Sequence, residues 1–331
     1  MTPANDQMTG ERIDRLMTVE IRRLAGGLPP GFVVPMYDIC RAHHGEPLSS
    51  LAARRLAETL TPGNVVFIAT GCGIPPNLPK GETDGPVGAA VLARALMLGF
   101  GARVVLVTET AHAAPIQAAA DLVNAELADR PPITVACFPL GLEPGRAIAQ
   151  TLMKDYRPRA VIFIERDGPS VEGYFHGVRG DCRAPEGVGH VHLLAGLARE
   201  QGVLSIGIGD GGNEVGFGAV RDAITAVHPY GGRCLAGHAS GVVTAIATDV
   251  VVSASVSNWG ASAIAAALAC RLGQPGVLHS QETEAALIAA CVRAGAVDGA
   301  TFQAVDTVDG ISCQGHTAFV GLLRAIVDVS I

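Results

Sequence analysis

Ala160-Val161-Ile162-Phe163-Ile164-Glu165-Arg166-Asp167-Gly168-Pro169 carries an apolar, Val- and Ile-rich run straight into a turn of carboxylates and glycine. Such a run reads as a strand, and Asp-Gly with Gly-Pro behind it ends the strand. The same succession recurs at Glu82-Thr83-Asp84-Gly85 and at Asp210-Gly211-Gly212-Asn213-Glu214. In an open α/β sheet the carboxyl ends of parallel strands form one edge, and ligands bind in the crevice outside it. Three acidic turns at strand ends therefore predict a single site built from distant parts of the chain.

Outward from these turns, Val/Ile-rich runs at 64–70, 102–108, 133–139, 159–165, 203–208, 248–254 and, more weakly, 302–307 read as strands. Between them, Ala/Leu-rich segments at 86–99, 112–127, 145–156, 189–201, 213–227, 259–272, 282–294 and 315–328 read as helices. This alternation is the pattern of βαβ units. The expected fold class is α/β, a doubly wound, mostly parallel sheet flanked by helices. Ahead of the first strand, 9–25 and 48–60 also read as helical, separated by the Pro-rich stretch Leu28 to Pro35. No linker, repeat or low-complexity tract divides the chain, so the expected organisation is a helical extension over 1–30 and one α/β domain over 31–331. Long loops are predicted at 71–85, 166–188 and 228–247, and in compact domains such loops are commonly functional.

Composition narrows the function. Hydrophobic residues are 49% of the 331 and charged residues 17%, far from the signature of disorder. The net charge is −7 and Lys80 and Lys154 are the only lysines, which argues against a nucleic-acid partner, since neutralising phosphates needs clustered Lys and Arg. Aromatics at 4% are too few for a base-stacking platform. Met1 to Arg15 is polar and of mixed charge, with no apolar region of a secretory signal, so a cytoplasmic location is expected. Val250 to Cys270 is uncharged and long enough for a membrane helix. Ser253, Ser255, Ser257, Asn258 and Gly260 break it, and it reads instead as a strand, a turn and a helix, with no membrane partner. Eight cysteines show no CxxC pair and no zinc-like spacing. They read as small core residues, with Cys72 alone placed in a turn near a candidate site.

Each turn has a plain reading and a functional one. At the first, Thr83 or Asp84 caps the helix that follows, since acids are favoured near a helix N-terminus. Capping explains one residue, not the pair Glu82 and Asp84 set behind Pro75, Pro76 and Pro79. The second turn is followed by Tyr174, His176, Arg179 and Asp181 in a glycine-spaced loop, giving His176 as a candidate acid/base and Arg179 as an anion-binding guanidinium. The third contains Gly207-Ile208-Gly209-Asp210-Gly211-Gly212, which formally matches a dinucleotide fingerprint. Asp210 would place a carboxylate where the phosphate belongs, so no nucleotide cofactor is expected. Instead the glycines let Asp210, Asn213 and Glu214 point outward as oxygen ligands or substrate contacts. A fourth strand end, Ser257-Asn258-Trp259-Gly260, adds uncharged polar groups, with Trp259 a site residue or a core anchor. Asp309-Gly310, with His316 soon after, is a less specific fifth candidate. Asp84, Asp167, Asp210 and Glu214 are the kind of ligands that hold hard divalent cations, Mg or Ca. The absence of an HExxH motif or a Cys/His quartet argues against zinc.

Together, GETDGP at 81–86, ERDG at 165–168, GIGDGGNEVG at 207–216 and VSNWGA at 256–261 resemble the D-glutamate cyclase C-terminal domain family, from about residue 30 to 325. The resemblance implies a connection with the conversion of D-glutamate to 5-oxo-D-proline, a lactam-forming dehydration. Its two-domain eukaryotic members carry a separate N-terminal domain, which this chain is expected to lack, because about 30 residues are too few for one. A cyclase site on these residues would set Glu82, Asp84, Glu165, Asp167, His176 and Asp210 to catalysis. Glu165 or Asp167 would take the ammonium proton, and His176 would protonate the leaving oxygen. Lys80, Thr83, Arg179, Asn213 and Asn258 would contact the small-molecule substrate, D-glutamate or a similar amino acid. Alternatives are a metal-assisted hydrolase of a small amide or phosphate ester, and a non-catalytic binding module for a separate N-terminal-domain partner. A homo-oligomer is a further expectation.

Overall fold

The computed structural model describes residues 3–21 and 28–331. Six strands, β1 (Val65–Thr70), β2 (Arg103–Glu109), β3 (Thr134–Phe138), β4 (Ala160–Ile164), β5 (Leu204–Gly209) and β6 (Val250–Ser253), form one parallel sheet in the order 3-2-1-4-5-6. All five neighbouring pairs are parallel. This is the doubly wound order. The connectivity reverses between β1 and β4, whose last residues Thr70 and Ile164 lie side by side, and an open sheet of this kind takes its ligand at that switch point.

Three helices precede the sheet: α1 (Pro3–Met17), α2 (Val33–His44) and α3 (Leu48–Thr59). The crossovers are α4 (Pro86–Phe100), α5 (Ala113–Glu126), α6 (Leu142–Tyr156), α7 (Leu193–Glu200) and α8 (Arg221–Val227). Then α9 (Ser257–Leu272), α10 (Gln281–Arg293) and α11 (Cys313–Asp328) complete the chain. Successive strand side chains point to opposite faces, and here both faces are buried. Ile68, Leu106, Ile162 and Ile206 pack on one side with α1, α3, α4 and α9; Phe67, Val107, Val161 and Phe163 pack on the other with α6 and α7. The edge strand β6 is covered by α2: His44 Nε2 accepts the Val251 N–H at 3.0 Å. Burial, with the charges of His43 and Arg55, lowers the His44 pKa to about 4, which keeps that nitrogen an acceptor.

The uncharged stretch from Val250 is a strand, a turn and a buried helix, and Trp259 is a core anchor stacked on Phe319 at 4.3 Å. Among the described residues no helix is long and apolar enough to cross a membrane. Five of the eight cysteines are buried, but Cys137 is exposed and Cys182 and Cys313 are half-buried.

Four expectations need correction. Helix α2 begins inside the Pro-rich stretch, because Pro35 falls in its first turn, where a missing N–H has no intrahelical partner to lose. The helix expected over 9–25 ends at Met17, and its positions 22–25 lie outside the described residues. The one expected over 213–227 forms only from Arg221, after a short 3₁₀ turn at Gly218–Val220. Before it the chain doubles back beside the second acidic turn, with Val215 N donating to Arg166 O at 2.8 Å and Gly168 N to Asn213 O at 2.9 Å. The weak strand over 302–307 is a compact loop knotted by Asp298. That carboxylate accepts from Ala300 N, Thr301 N, Gly310 N and the Thr307 hydroxyl, leaving only a two-residue ladder, Thr307–Val308 with Ile311–Ser312.

Candidate functional site

The three acidic turns converge at the switch point. A crevice opens there, lined by Glu82, Glu165, Asp210, Asn213, Glu214 and Asp309. Val178, Arg179, Asp181 and Phe302 also line it, with Leu28, Ile74 and Leu78. Among the described lining residues Arg179 is the one basic side chain. Its guanidinium reaches the carbonyls of Gly299 and Ala300 and lies 4.9 Å over the Phe302 ring.

Local backbone sets each acid. Glu165 and Asp309 adopt φ of 45° and 53°, left-handed values a non-glycine residue rarely takes, and strain of this kind gathers at functional sites. The third turn needs its glycines for close approach. A Cβ on Gly207 would stand 2.1 Å from the Val215 carbonyl oxygen, because the returning chain lies directly on β5. In that turn Glu214 accepts from the backbone amides of Asp210 at 3.1 Å and of Gly211 and Gly212 at 2.8 Å. The amides that would cradle a dinucleotide phosphate thus hold the chain's own carboxylate.

Asp84 and Asn258 hold the helices above. Asp84 accepts the amides of Ser257 and Asn258 at the start of α9, both at 2.8 Å. The Asn258 side-chain oxygen accepts Gly85 N at 2.9 Å and Gly88 N at 2.7 Å at the start of α4, and its Nδ2 donates to Thr83 O at 3.1 Å. Thr83 donates its hydroxyl to Thr307 O and serves the frame beneath the crevice.

The carboxylates crowd one another. Asp84, Asp210 and Asp309 each bring an oxygen within 4.8 Å of the other two, and so do Glu165, Asp210 and Glu214. Burial, then the charges of Asp309, Asp84 and Asp210, hold the Glu82 carboxyl well above the usual carboxylate range. Burial and the neighbours Asp210, Glu214 and Asp84 do the same to Glu165, which also accepts the Ser257 hydroxyl at 2.6 Å. An all-oxygen, carboxylate-rich set suits a hard cation.

Three sequence-derived site residues stand apart from these carboxylates. Asp167 is buried in a chain of ion pairs, bonded to Arg183 and 3.4 Å from Arg166, which in turn binds Glu109. Burial alone would raise its pKa, but Arg183 and Arg166 outweigh burial and hold it below the usual range. His176 is fully buried behind Asn213, whose Nδ2 donates to the His176 carbonyl at 3.0 Å. Lys80 is exposed and lies over Gly295. Cys72 lines the crevice as a thiol: burial first, and Asp167 next, push its pKa well up. The sequence reading placed too little weight on Asp309. Its Asp-Gly dipeptide was the available signal, but the knot around Asp298 that aims it is tertiary.

The profile of the family described as "D-glutamate cyclase-like, C-terminal" matches residues 40–324. The chain belongs to this family. The D-glutamate cyclase-like frame therefore spans the whole sheet and every acid of the crevice. One relative is the human protein named "D-glutamate cyclase, mitochondrial", 31% identical over 113 residues. That match covers 33% of this chain and only 16% of the human protein's length.

Proposed function

We propose that the crevice interconverts D-glutamate and 5-oxo-D-proline, a carbon–oxygen lyase reaction on a free amino acid. The observation that carries this reading is Glu82, a crevice carboxyl outside both triads whose pKa is raised by burial and by Asp309. In the ring-closing direction the α-amine attacks the γ-carboxyl carbon. One C–N bond forms, one C–O bond breaks, and two protons leave the ammonium and end in the departing water. A carboxyl tuned upward towards neutrality suits that transfer in both senses, so Glu82 accepts from the ammonium and delivers to the leaving oxygen. Arg179 holds the substrate's α-carboxylate, since its planar fork matches that ligand. The apolar side chains Ile74, Leu78 and Phe302 exclude water around the closing ring.

A divalent cation fits the crevice, with Asp84, Asp210, Asp309, Glu165 and Glu214 as the residues that would hold it. Bound there, it would supply Lewis-acid polarisation of the γ-carboxyl group.

The test is direct. Full-length protein with Mg²⁺, Ca²⁺ or Mn²⁺ is incubated with D-glutamate, and separately with 5-oxo-D-proline, and products are followed by chiral chromatography. Turnover that vanishes in Glu82→Gln, with L-glutamate as control, is the expected result. No turnover in either direction, with hydrolysis of a small amide or phosphate ester instead, would overturn the reading. The short match to the human protein favours one second reading, a ligand-binding module that acts with a separately encoded partner. Activity appearing only on mixing the two proteins would support it.

A further inference from the structure

The two carboxylate triads of the crevice share one residue. Asp84, Asp210 and Asp309 form the first and Glu165, Asp210 and Glu214 the second. We propose that the crevice is a two-cation site, with Asp210 bridging one ion held by Asp84 and Asp309 and a second held by Glu165 and Glu214. The inference rests on the cation invoked for the function above and deepens it. Paired ions of this kind stand about 3.5–4 Å apart, a spacing one bridging carboxylate can span.

An independent observation falls on the second triad. Asn213 is 4% exposed and lines the crevice. Its Nδ2 is committed to the His176 carbonyl, so its Oδ1 is the acceptor end, and that oxygen receives no hydrogen bond. A Cβ built on Gly211 would meet Asn213 Oδ1 at 2.6 Å and Glu214 Oε1 at 3.2 Å, which sets the amide oxygen beside the triad. A buried acceptor without a donor is unfavourable. A hard cation takes a neutral amide oxygen as readily as a carboxylate, and an ion between Glu165 and Glu214 satisfies it.

Charge favours two ions over one. Like charges a few ångströms apart repel strongly where water is excluded, and the triads hold five carboxylates. One divalent ion leaves most of that charge uncompensated; two nearly balance it. Glu214 and Asp84 are already oriented by backbone amides, which is how outer contacts fix ligands at metal centres.

Mn²⁺ is the probe, because it is an oxygen-seeking ion with a spectroscopic signature. The metal-free full chain is titrated by calorimetry and by electron paramagnetic resonance, without substrate. Two equivalents with a spin-coupled Mn–Mn signal are expected. Asp309→Asn and Glu165→Gln should each retain one uncoupled ion, and Asp210→Asn should abolish coupling and weaken uptake at least tenfold. One equivalent in the wild type, two uncoupled ions, or none would overturn the proposal. Circular dichroism checks folding, and if Asp210→Asn does not fold the other two variants decide. Cyclase turnover with a single bound ion overturns the bridge and leaves the function standing. A coupled pair without turnover does the reverse.

Discussion

Asp84 and Asn258 cap each other's helices: the carboxylate closes the start of α9, and the amide closes the start of α4. Both side chains are almost wholly buried. An acid of the first triad and the frame that holds it are therefore one hydrogen-bonded unit.

Removing that exchange should cost more than an ordinary cap, for which truncation loses about 0.5–2 kcal/mol. Asn258→Ala strands the amide of Gly88 in the interior and leaves that of Gly85 with Asp84 Oδ1, so a loss of about 1–3 kcal/mol is expected from urea unfolding. Asn258→Asp should be at least as damaging, since it turns the Nδ2 donor towards Thr83 O into an oxygen and adds a charge beside Asp84. A stable Asn258→Asp protein would show that the amide orientation does not matter.

Crowding of carboxylates predicts a pH dependence in metal-free protein. Glu165 is held above its ordinary value by burial and by Asp210, so its contribution is full below the unfolded pKa and is lost as pH rises through the folded one. Buried histidines act in the other sense. His192 is lowered to about 3 by burial and by His190, and His228 to about 4 by burial; they lose stability as pH falls below their unfolded value of about 6.5. The difference in Tm between Glu165→Gln and wild type isolates the first effect. It should be near zero at about pH 4 and positive by about pH 8; a difference flat with pH would show that Glu165 titrates normally.

Asp167 and Arg183 form a buried pair apart from the two triads. Arg183→Met leaves a buried carboxylate with only the 3.4 Å contact to Arg166, and breaking such a pair costs about 3–5 kcal/mol. The double variant Asp167→Asn/Arg183→Met should lose less than the two single losses combined, as coupled neighbours do. Strict additivity in chemical denaturation would show that the pair is not coupled.

Gly207→Ala tests the returning turn. Its new Cβ meets backbone rather than a movable side chain, so the 210–217 segment must lift off β5. Mn²⁺ uptake should fall along with thermal stability; unchanged uptake would mean that the acids do not depend on this packing.

Much of this was legible in the sequence, for reasons that differ by element. Strands such as Ala160–Ile164 and Val250–Ser253 are buried along their whole length and stand out as apolar runs without context. The convergence of Glu82, Glu165, Asp210 and Glu214 follows from a topological rule about strand ends. What escaped depends on partners distant in sequence. Nothing local to Asp167 announces Arg183, and nothing local to His176 announces that it sits behind Asn213. Helix α2 escaped because Pro35 reads as a breaker unless its place in the first turn is known. Asp309 escaped because the Asp298 knot joins residues by side-chain bonds that leave no periodicity.

That knot also bears on when the protein becomes itself during synthesis. A nascent chain that has emerged as far as residue 300 carries Asp84, Glu165, Asp210 and Glu214, yet it lacks Asp309 and the Thr307 and Gly310 groups that fasten Asp298. The first triad closes only once the segment bearing Asp309 has joined Asp84 and Asp210. A cation that prefers the closed arrangement would then stabilise a chain that carries the Asp298 knot over one that stops before it.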